Sequence, residues 1–157
     1  MISTDPPYYD NIGYADLSDY FYIWFRYSIK KIYPELFSTM LVPKTEELIA
    51  TPYRHDGNME KAKCFFEDGM LLACKQMYQY AKEDFPVTIY YAYKQSDSDS
   101  KGTASSGWET MLSAIINAGF LITGTWPMHT ERETGLKSAV NALASSIVLV
   151  GIINSYR

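Results

Sequence analysis

The stretch Val87-Thr88-Ile89-Tyr90-Tyr91-Ala92-Tyr93 indicates the fold class, because an unbroken run of β-branched and aromatic residues is typical of a buried strand. Pro86 comes directly before the run, and a polar tract from Gln95 to Ser105 follows it. Proline and short polar residues punctuate regular structure, so both ends of the run are marked. The sequence therefore predicts a strand over 87–93, followed by a mobile loop.

Helical patterns lie on both sides of this strand. Upstream, apolar residues recur at helical spacing over 58–83, and earlier over 17–32, where Asp16 is the predicted N-cap. Downstream, the segment Ser106-Gly107-Trp108-Glu109 has the spacing of a capping box, and Gly119 suits the position after a helix end. Three helices are therefore expected.

Residues 1–4, 120–126 and 145–153 complete the set of predicted strands. Strands that alternate with helices indicate an α/β domain with a parallel, doubly wound sheet. No long helix separates the last two strands, so they form either a further parallel crossover or an antiparallel pair at the end of the sheet. Nothing in the sequence marks a boundary, and residues 1–157 are interpreted as one domain.

Composition narrows the class of protein. A hydrophobic content of 47% in 157 residues supports a sizeable core and excludes a disordered chain. The net charge is -4, whereas a stand-alone nucleic-acid binder is usually basic. Much of the affinity for any nucleic acid would therefore come from other sequence. No apolar run is long enough for a membrane span, and no signal peptide is visible, which predicts a cytoplasmic protein. Cys64 and Cys74 are interpreted as buried thiols.

The motif that suggests chemistry is Asp5-Pro6-Pro7-Tyr8, placed where the first strand ends. Ligands of α/β sheets bind at the carboxyl edge of the strands. An amine attached to an aromatic ring is a poor nucleophile, because its lone pair is delocalised, and acceptors on its N–H groups favour a more reactive nitrogen. The Asp5 carboxylate and the Pro6 carbonyl supply two acceptors, the Pro6-Pro7 pair restricts the turn, and Tyr8 offers a stacking face for an extruded base.

The chain resembles the adenine-specific DNA methylases of bacteria and archaea that carry an uncharacterised N-terminal domain. The opening block Ser3–Asp19, which contains the motif, is the most specific part of this resemblance. It continues through further blocks that cover most of the chain: Val42–Leu48, Tyr53–His55, Val87–Lys94, Gly102–Met111, Thr125–Met128 and Asn141–Val148.

The resemblance implies a class I methyltransferase (Rossmann-like) fold, whose seven-stranded sheet ends in an antiparallel hairpin. It also implies S-adenosylmethionine as methyl donor and adenine in DNA as acceptor. Carried over by position, Asp5 and Pro6 hold the target amine, Tyr8 stacks on the base, and Asp5 also borders the cofactor pocket. Pro7 would contact the substrate, and so would the residues after the motif, which otherwise form a polar turn: Tyr9, Asp10 and Asn11.

One departure from the family is large. The glycine-rich cofactor loop is expected upstream of the motif, but only four residues precede Asp5, and no two glycines are spaced as GxG. The stretch His129–Val140 and the tail Gly151–Arg157 also look unlike the family. We therefore expect the C-terminal, target-base half of a methyltransferase domain, inactive by itself. The alternatives are a non-catalytic module that homodimerises through an exposed sheet edge, or an acceptor in RNA or a protein amide.

The helix predicted over 17–32 has two interpretations. Its aromatic residues Tyr20, Tyr22, Trp24 and Tyr27 could form a stacking platform for nucleic acid. The favoured interpretation is an ordinary amphipathic helix that packs on the sheet.

Several other residues also have two interpretations. Lys44, Arg54 and His55 could reach phosphate, although solvated surface charge is favoured. Trp108 walls the site or packs a helix on the sheet. Ser106 is interpreted as a cap rather than a nucleophile, since no partner base is recognisable. No metal is expected, and the sequence His129 to Glu133 is interpreted as a hairpin loop.

Overall fold

The computed structural model describes residues 1–9, 12–93, 103–128 and 145–153, and within them a mixed α/β fold. A short 3-10 turn, Pro52–Arg54, precedes the second helix. The helices and strands are, in chain order, β1 (Ile2–Thr4), α1 (Tyr14–Ile29), α2 (Met59–Tyr80), β2 (Val87–Tyr93), α3 (Thr103–Ala118), β3 (Phe120–Met128) and β4 (Ser145–Ile153).

The described sheet has four strands in the order β1-β2-β4-β3. β1 pairs with β2 in parallel, and β4 lies between β2 and β3, antiparallel to both. The last two strands are therefore the antiparallel pair that the sequence left open. The sheet is therefore mixed and not wholly parallel, because β4 lies between β2 and β3 and runs antiparallel to both.

Both α2 and α3 pack on the same face of the sheet. Alternate residues of β2, Val87, Ile89 and Tyr91, are buried there in the core with Phe66 of α2 and Met111 of α3. The steps from β1 to β2 and from β2 to β3 advance in the same direction across the sheet. Right-handed crossovers then place both helices on one face. The expectation of a doubly wound sheet is therefore wrong for the described residues.

The opposite face of the sheet carries side chains that remain exposed. They include Tyr90 of β2 and, from β3, Leu121 and Trp126. Within the part of the chain that the structure describes, no helix has the length and apolar character needed to cross a bilayer.

The bounds of most elements agree with the predictions. The strands over 87–93 and 145–153 are confirmed to the residue, and β3 runs two residues beyond 126. Asn58 caps α2 by accepting a hydrogen bond from the Lys61 amide at 3.0 Å. Gly119 ends α3 as predicted, with φ at +109° and its amide donating to the carbonyl of Ile116 at 3.0 Å.

Two predicted caps are wrong. α1 begins after Gly13, so Asp16 lies in its first turn, where it pairs with Arg54 instead of capping. α3 begins at Thr103, so Ser106 lies inside the helix and does not start it. Most of the tract from Gln95 to Ser105, residues 95–102, lies outside the described residues.

The cysteine prediction is confirmed for one residue and wrong for the other. Cys74 is buried in the core, and burial raises the pKa of its thiol to about 11. Cys64, also on α2, is exposed.

Among the described residues α1 has no extended contact with the sheet, and most of its apolar side chains are exposed. The favoured interpretation of these apolar residues is therefore wrong for this part of the chain. The inner side of α1 lies instead against the segment that follows it. The hydroxyl of Tyr22 bonds to Thr39 at 2.9 Å, and Asp19 accepts from the amide of Val42 at 2.9 Å. We call residues 12–47 the α1 arm and the sheet with α2 and α3 the body.

Candidate functional site

The motif Asp5-Pro6-Pro7-Tyr8 begins one residue after the last residue of β1, at the carboxyl end of a strand that runs parallel to β2. Asp5 is exposed, and Tyr8 is half-buried. The hydroxyl of Tyr8 donates a hydrogen bond to Oδ1 of Asp5 at 3.1 Å. The structure therefore brings together a carboxylate and an aromatic ring at the edge of the sheet where α/β folds bind ligands.

The body holds the Tyr8 ring in place. Its edge meets Tyr91 of β2, with ring centroids 5.6 Å apart and planes at 89°. Tyr91 is buried and in turn contacts Trp108 of α3 at 6.0 Å. Edge-to-face aromatic pairs have a preferred geometry, so β2 restrains the position of Tyr8. Trp108 packs α3 on the sheet, as one interpretation proposed, and is one ring removed from the motif.

Tyr9 lies in the core instead of beside Tyr8. Its side chain is 7% exposed and meets Phe66 of α2 edge-on at 5.2 Å. Its carbonyl accepts a hydrogen bond from the amide of Ala50 at 2.7 Å. Tyr9 is therefore an anchor for the motif, whereas Pro6 is half-buried and Pro7 exposed beside Tyr8. Asp10 and Asn11 lie outside the described residues.

The sequence did not single out Tyr91 or Gly107 as supports of the site. A Cβ at Gly107 would lie 3.0 Å from the Cβ of Tyr9 and 3.0 Å from the hydroxyl of Tyr91. The missing side chain lets α3 approach both the motif and β2. A glycine within a helix costs about 0.5–1 kcal/mol relative to alanine, which is a signal that such a position serves packing.

The arrangement offers acceptors for an amine. A carboxylate has two oxygens with about four lone-pair directions in total, so Asp5 can accept from Tyr8 and from a ligand together. Tyr8 restrains the carboxylate through the hydrogen bond and presents a π face nearby. The pair can bind a planar group that carries N–H donors at its rim.

Lys44 and Arg54 both form ion pairs within the chain, which neither the phosphate-contact nor the solvated-charge interpretation included. Arg54 donates to Asp16 at 2.7 Å and to Glu47 at 2.6 Å, and its side chain is 11% exposed. Lys44 donates to Asp19 at 2.8 Å.

The contacts of Arg54 join the α1 arm to the 3-10 turn before α2, whereas the pair of Lys44 and Asp19 lies within the arm. His55 follows that turn and contacts Phe65, with ring centroids 5.0 Å apart. Burial alone would lower the pKa of Arg54, but hydrogen bonds to Asp16 and Glu47 raise it above its usual value. The pKa of Asp16 is lowered by a hydrogen bond from Tyr53, which has the larger effect, and by one from Arg54.

Two of the described glycines, one before α1 and one within α3, are closely approached by neighbouring side chains. The space that a side chain at Gly107 would fill is occupied by Tyr9 and Tyr91, as described above. A Cβ at Gly13 would lie 2.8 Å from Oδ2 of Asp16. Neither Gly107 nor Gly13 therefore leaves open backbone against which a ligand could pack. The stretch His129–Val140 lies outside the described residues.

A pocket of about 180 Å³ lies between α2 and α3 and contains no residue of the motif. Its wall is polar in part, and the hydroxyl of Thr110 there donates to Glu67 at 3.2 Å. The remaining lining residues are Asp68, Leu71, Ser113, Ala114 and Asn117.

Comparison of the chain with protein-family models, with curated proteins and with solved structures found no match.

Proposed function

We propose that this chain supplies the target-base site of an adenine-N6 methyltransferase that acts on DNA and uses S-adenosylmethionine. The observation that carries the proposal is the pairing of the Asp5 carboxylate with the Tyr8 ring, joined by a 3.1 Å hydrogen bond at the carboxyl end of a parallel strand. Both side chains are accessible in part, as a ligand contact requires.

The chemistry of the acceptor explains the choice of residues. The N6 amine of adenine has two N–H groups and a lone pair delocalised into the ring. Asp5 and the carbonyl of Pro6 accept these two hydrogens and favour a nitrogen whose lone pair is available. Tyr8 supports the base by stacking, after the base has been extruded from the duplex. The proline pair fixes the turn, so little order is lost when the base binds.

The sheet also supports the proposal. Class I methyltransferases, which the chain resembles, have a mostly parallel sheet that ends in an antiparallel hairpin. The described strands include the antiparallel pair β3 and β4 beside parallel β1 and β2. The opening block Ser3–Asp19, which carries the resemblance most specifically, provides β1 and the motif.

The donor is assigned to sequence other than the described residues. S-adenosylmethionine would supply a methyl group on a sulfonium centre, and no two of the nine glycines of the chain have the GxG spacing of a cofactor loop. The chain's own contribution is to bind the base, orient its amine and accept hydrogen bonds. We expect the chain alone to transfer no label from S-adenosylmethionine to adenine-containing DNA.

The test is a binding comparison that needs no donor. Two single-stranded oligonucleotides are used, identical except for one central base, which is adenine in one and purine without the 6-amine in the other. Hydrogen bonds to a charged group contribute about 1.5–3 kcal/mol, so we expect adenine to bind roughly 10- to 100-fold more tightly. Equal affinity for the two probes would contradict the proposal.

Variants of the motif identify which residue gives the preference for adenine over purine. Asp5→Ala is expected to abolish the discrimination between adenine and purine, and because Asp5 is exposed it leaves the fold intact. Tyr8→Ala is expected to weaken the binding of both oligonucleotides equally, by roughly 1–3 kcal/mol, which is the contribution of one base–aromatic stack. Tyr8→Phe is the matched control, since it keeps the stacking face. If Asp5→Ala still preferred adenine, a residue other than Asp5 would bind the amine.

The same titration separates the other acceptor classes. Ribose in place of deoxyribose would strengthen binding if the acceptor lay in RNA, because a 2′-hydroxyl distinguishes the two backbones. A glutamine peptide that competes with the adenine probe would indicate a protein amide. We expect neither result.

A further inference from the structure

The helix α1 carries a continuous apolar strip on the side turned away from the rest of the α1 arm. Residues three and four apart share one side of a helix, and this strip follows that spacing. Its members are each between 55% and 67% exposed, and we call them the α1 seam: Tyr14, Leu17, Tyr20, Phe21, Trp24 and Phe25.

The opposite side of α1 already has partners within the chain. Ala15 is buried, and its amide donates to Glu47 at 2.9 Å. Tyr22 bonds to Thr39, and its ring lies 5.3 Å from Phe37. This side of α1 therefore packs within the chain. Within the part of the chain that the structure describes, the α1 seam on the other side faces solvent.

The area of the seam approaches what one partner contributes to a protein interface. An aromatic side chain buries about 150–250 Å², so five aromatic residues more than half exposed present roughly 600 Å². Each partner of a standard interface contributes about 800 Å². The largest apolar patch of an ordinary monomer is about 300–600 Å² and is often functional. The seam is therefore large enough for a stable association.

The size of the seam and the dipole of α1 favour a second copy in antiparallel orientation. The charges at the ends of α1 do not decide this, because Asp16 already pairs with Arg54 and Arg26 lies on the inner side of the helix. Two seams that face each other would bury roughly 1,200 Å² in total, the lower limit of a specific interface. In antiparallel pairing the two helix dipoles oppose each other, and a two-fold axis at Phe21 makes the seam complementary to itself.

We propose that this chain forms a two-fold symmetric dimer in which the α1 seams of two copies pack in antiparallel fashion. The spacing 14, 17, 21, 24 is the alternation of three and four residues by which paired helices interlock. The dimer uses no residue of the Asp5-Tyr8 pair, so it stands or falls independently of the proposed function.

Sedimentation velocity of the full chain provides the first test. We expect a dimer, and substitution of a central aromatic residue, Phe21→Glu or Trp24→Glu, is expected to weaken it at least about 30-fold, the effect of losing a hot-spot side chain. Ile23→Glu is the matched control, because Ile23 is equally exposed on α1 but lies off the seam. These positions are exposed, so circular dichroism should show an unchanged fold.

Disulfide trapping tests the direction of pairing, in a background in which the exposed Cys64 is replaced by serine. Phe21→Cys is expected to cross-link with itself across the axis. Tyr14→Cys is expected to cross-link with Ser28→Cys in a mixture of the two variants, but not with itself. Efficient self-linkage of Tyr14→Cys would overturn the antiparallel arrangement.

Three further results would overturn the proposal. The first is a monomeric wild-type chain. The second is a dimer that Phe21→Glu leaves intact but Trp126→Glu disrupts, which would place the contact on the open sheet face. The third is a monomer whose Trp24 fluorescence responds to an oligonucleotide, which would make the seam a stacking platform.

Discussion

The body and the α1 arm solve the same folding problem in opposite ways. In the body, Phe66, Met70 and Met111 are at most 2% exposed, and apolar packing holds the sheet to α2 and α3. In α1 only Ala15 is buried, and the arm is held largely by ion pairs and hydrogen bonds. The body is thus stabilised by burial, and the arm by a few directional contacts at Arg54.

This difference shows what an apolar stripe can and cannot predict. The hydrophobic effect is non-directional, so a stripe shows that a surface favours burial without identifying the surface that covers it. The apolar residues of α1 therefore predicted a helix correctly but gave the wrong contact. The neighbours Tyr8 and Tyr9 also show that residue type does not determine burial, since Tyr8 is half-buried at the surface and Tyr9 is buried in the core.

The largest expected effect is the loss of a core ring. Phe66→Ala removes a fully buried side chain that also packs on Tyr9, and we expect a loss of about 3–5 kcal/mol in the free energy of unfolding. Phe21→Ala on the seam should change the stability of the monomer by no more than about 0.5 kcal/mol. Urea denaturation at low protein concentration measures both. Similar losses in the two variants would remove the distinction between body and arm.

A backbone substitution at the end of α3 comes next. Gly119 has a φ of +109°, and a Cβ there would lie 2.9 Å from the ring of Tyr78. We expect Gly119→Ala to cost about 2–3 kcal/mol, from strain and overlap together. Gly57→Ala is the control, since Gly57 also has a positive φ but nothing within 4 Å, and it should cost less. Thermal unfolding compares them, and equal costs would show that the Tyr78 contact contributes nothing.

Removal of the Arg54 side chain should affect the arm rather than the body. Arg54→Gln leaves Asp16 and Glu47 without their cation, and we expect a loss of about 2 kcal/mol. Hydrogen exchange should accelerate in α1 and stay slow in β2. Lys61→Gln, which breaks an exposed pair with Asp56 at 3.5 Å, is the control and should have little effect. Uniform acceleration would mean that Arg54 supports the whole fold.

Acid should loosen the arm by a smaller amount. The pKa of Asp16 is lowered by hydrogen bonds from Tyr53 and Arg54, and that of Asp19 by one from Lys44. A carboxyl whose pKa is lower in the folded state stabilises the fold above its unfolded pKa of about 3.9, and this stabilisation disappears as the pH falls through the folded value.

Hydrogen exchange in α1 should therefore accelerate relative to the body between about pH 5 and about pH 3. The double variant Asp16→Asn with Asp19→Asn should flatten this dependence. A wild-type arm that is insensitive to acid would contradict the lowered pKa values.

The sequence predicted most of the body because its signals are local. The run over 87–93 and the glycine at 119 determine their elements by neighbouring residues alone. The N-cap of α1 was missed because Asp16 pairs with Arg54, 38 residues away. For the site, the motif after β1 was readable, whereas its supports at Tyr91 and Gly107 depend on how β2 and α3 pack.

We propose above all that Asp5 accepts a hydrogen bond from the N6 amine of adenine. A short oligonucleotide with one adenine, labelled with nitrogen-15 at N6, reports on this directly by nuclear magnetic resonance. We expect the amino protons to shift downfield when wild-type protein is added, and to stay unshifted with Asp5→Ala. An unperturbed amine in the presence of a bound wild-type chain, or the same shift with Asp5→Ala, would contradict the claim.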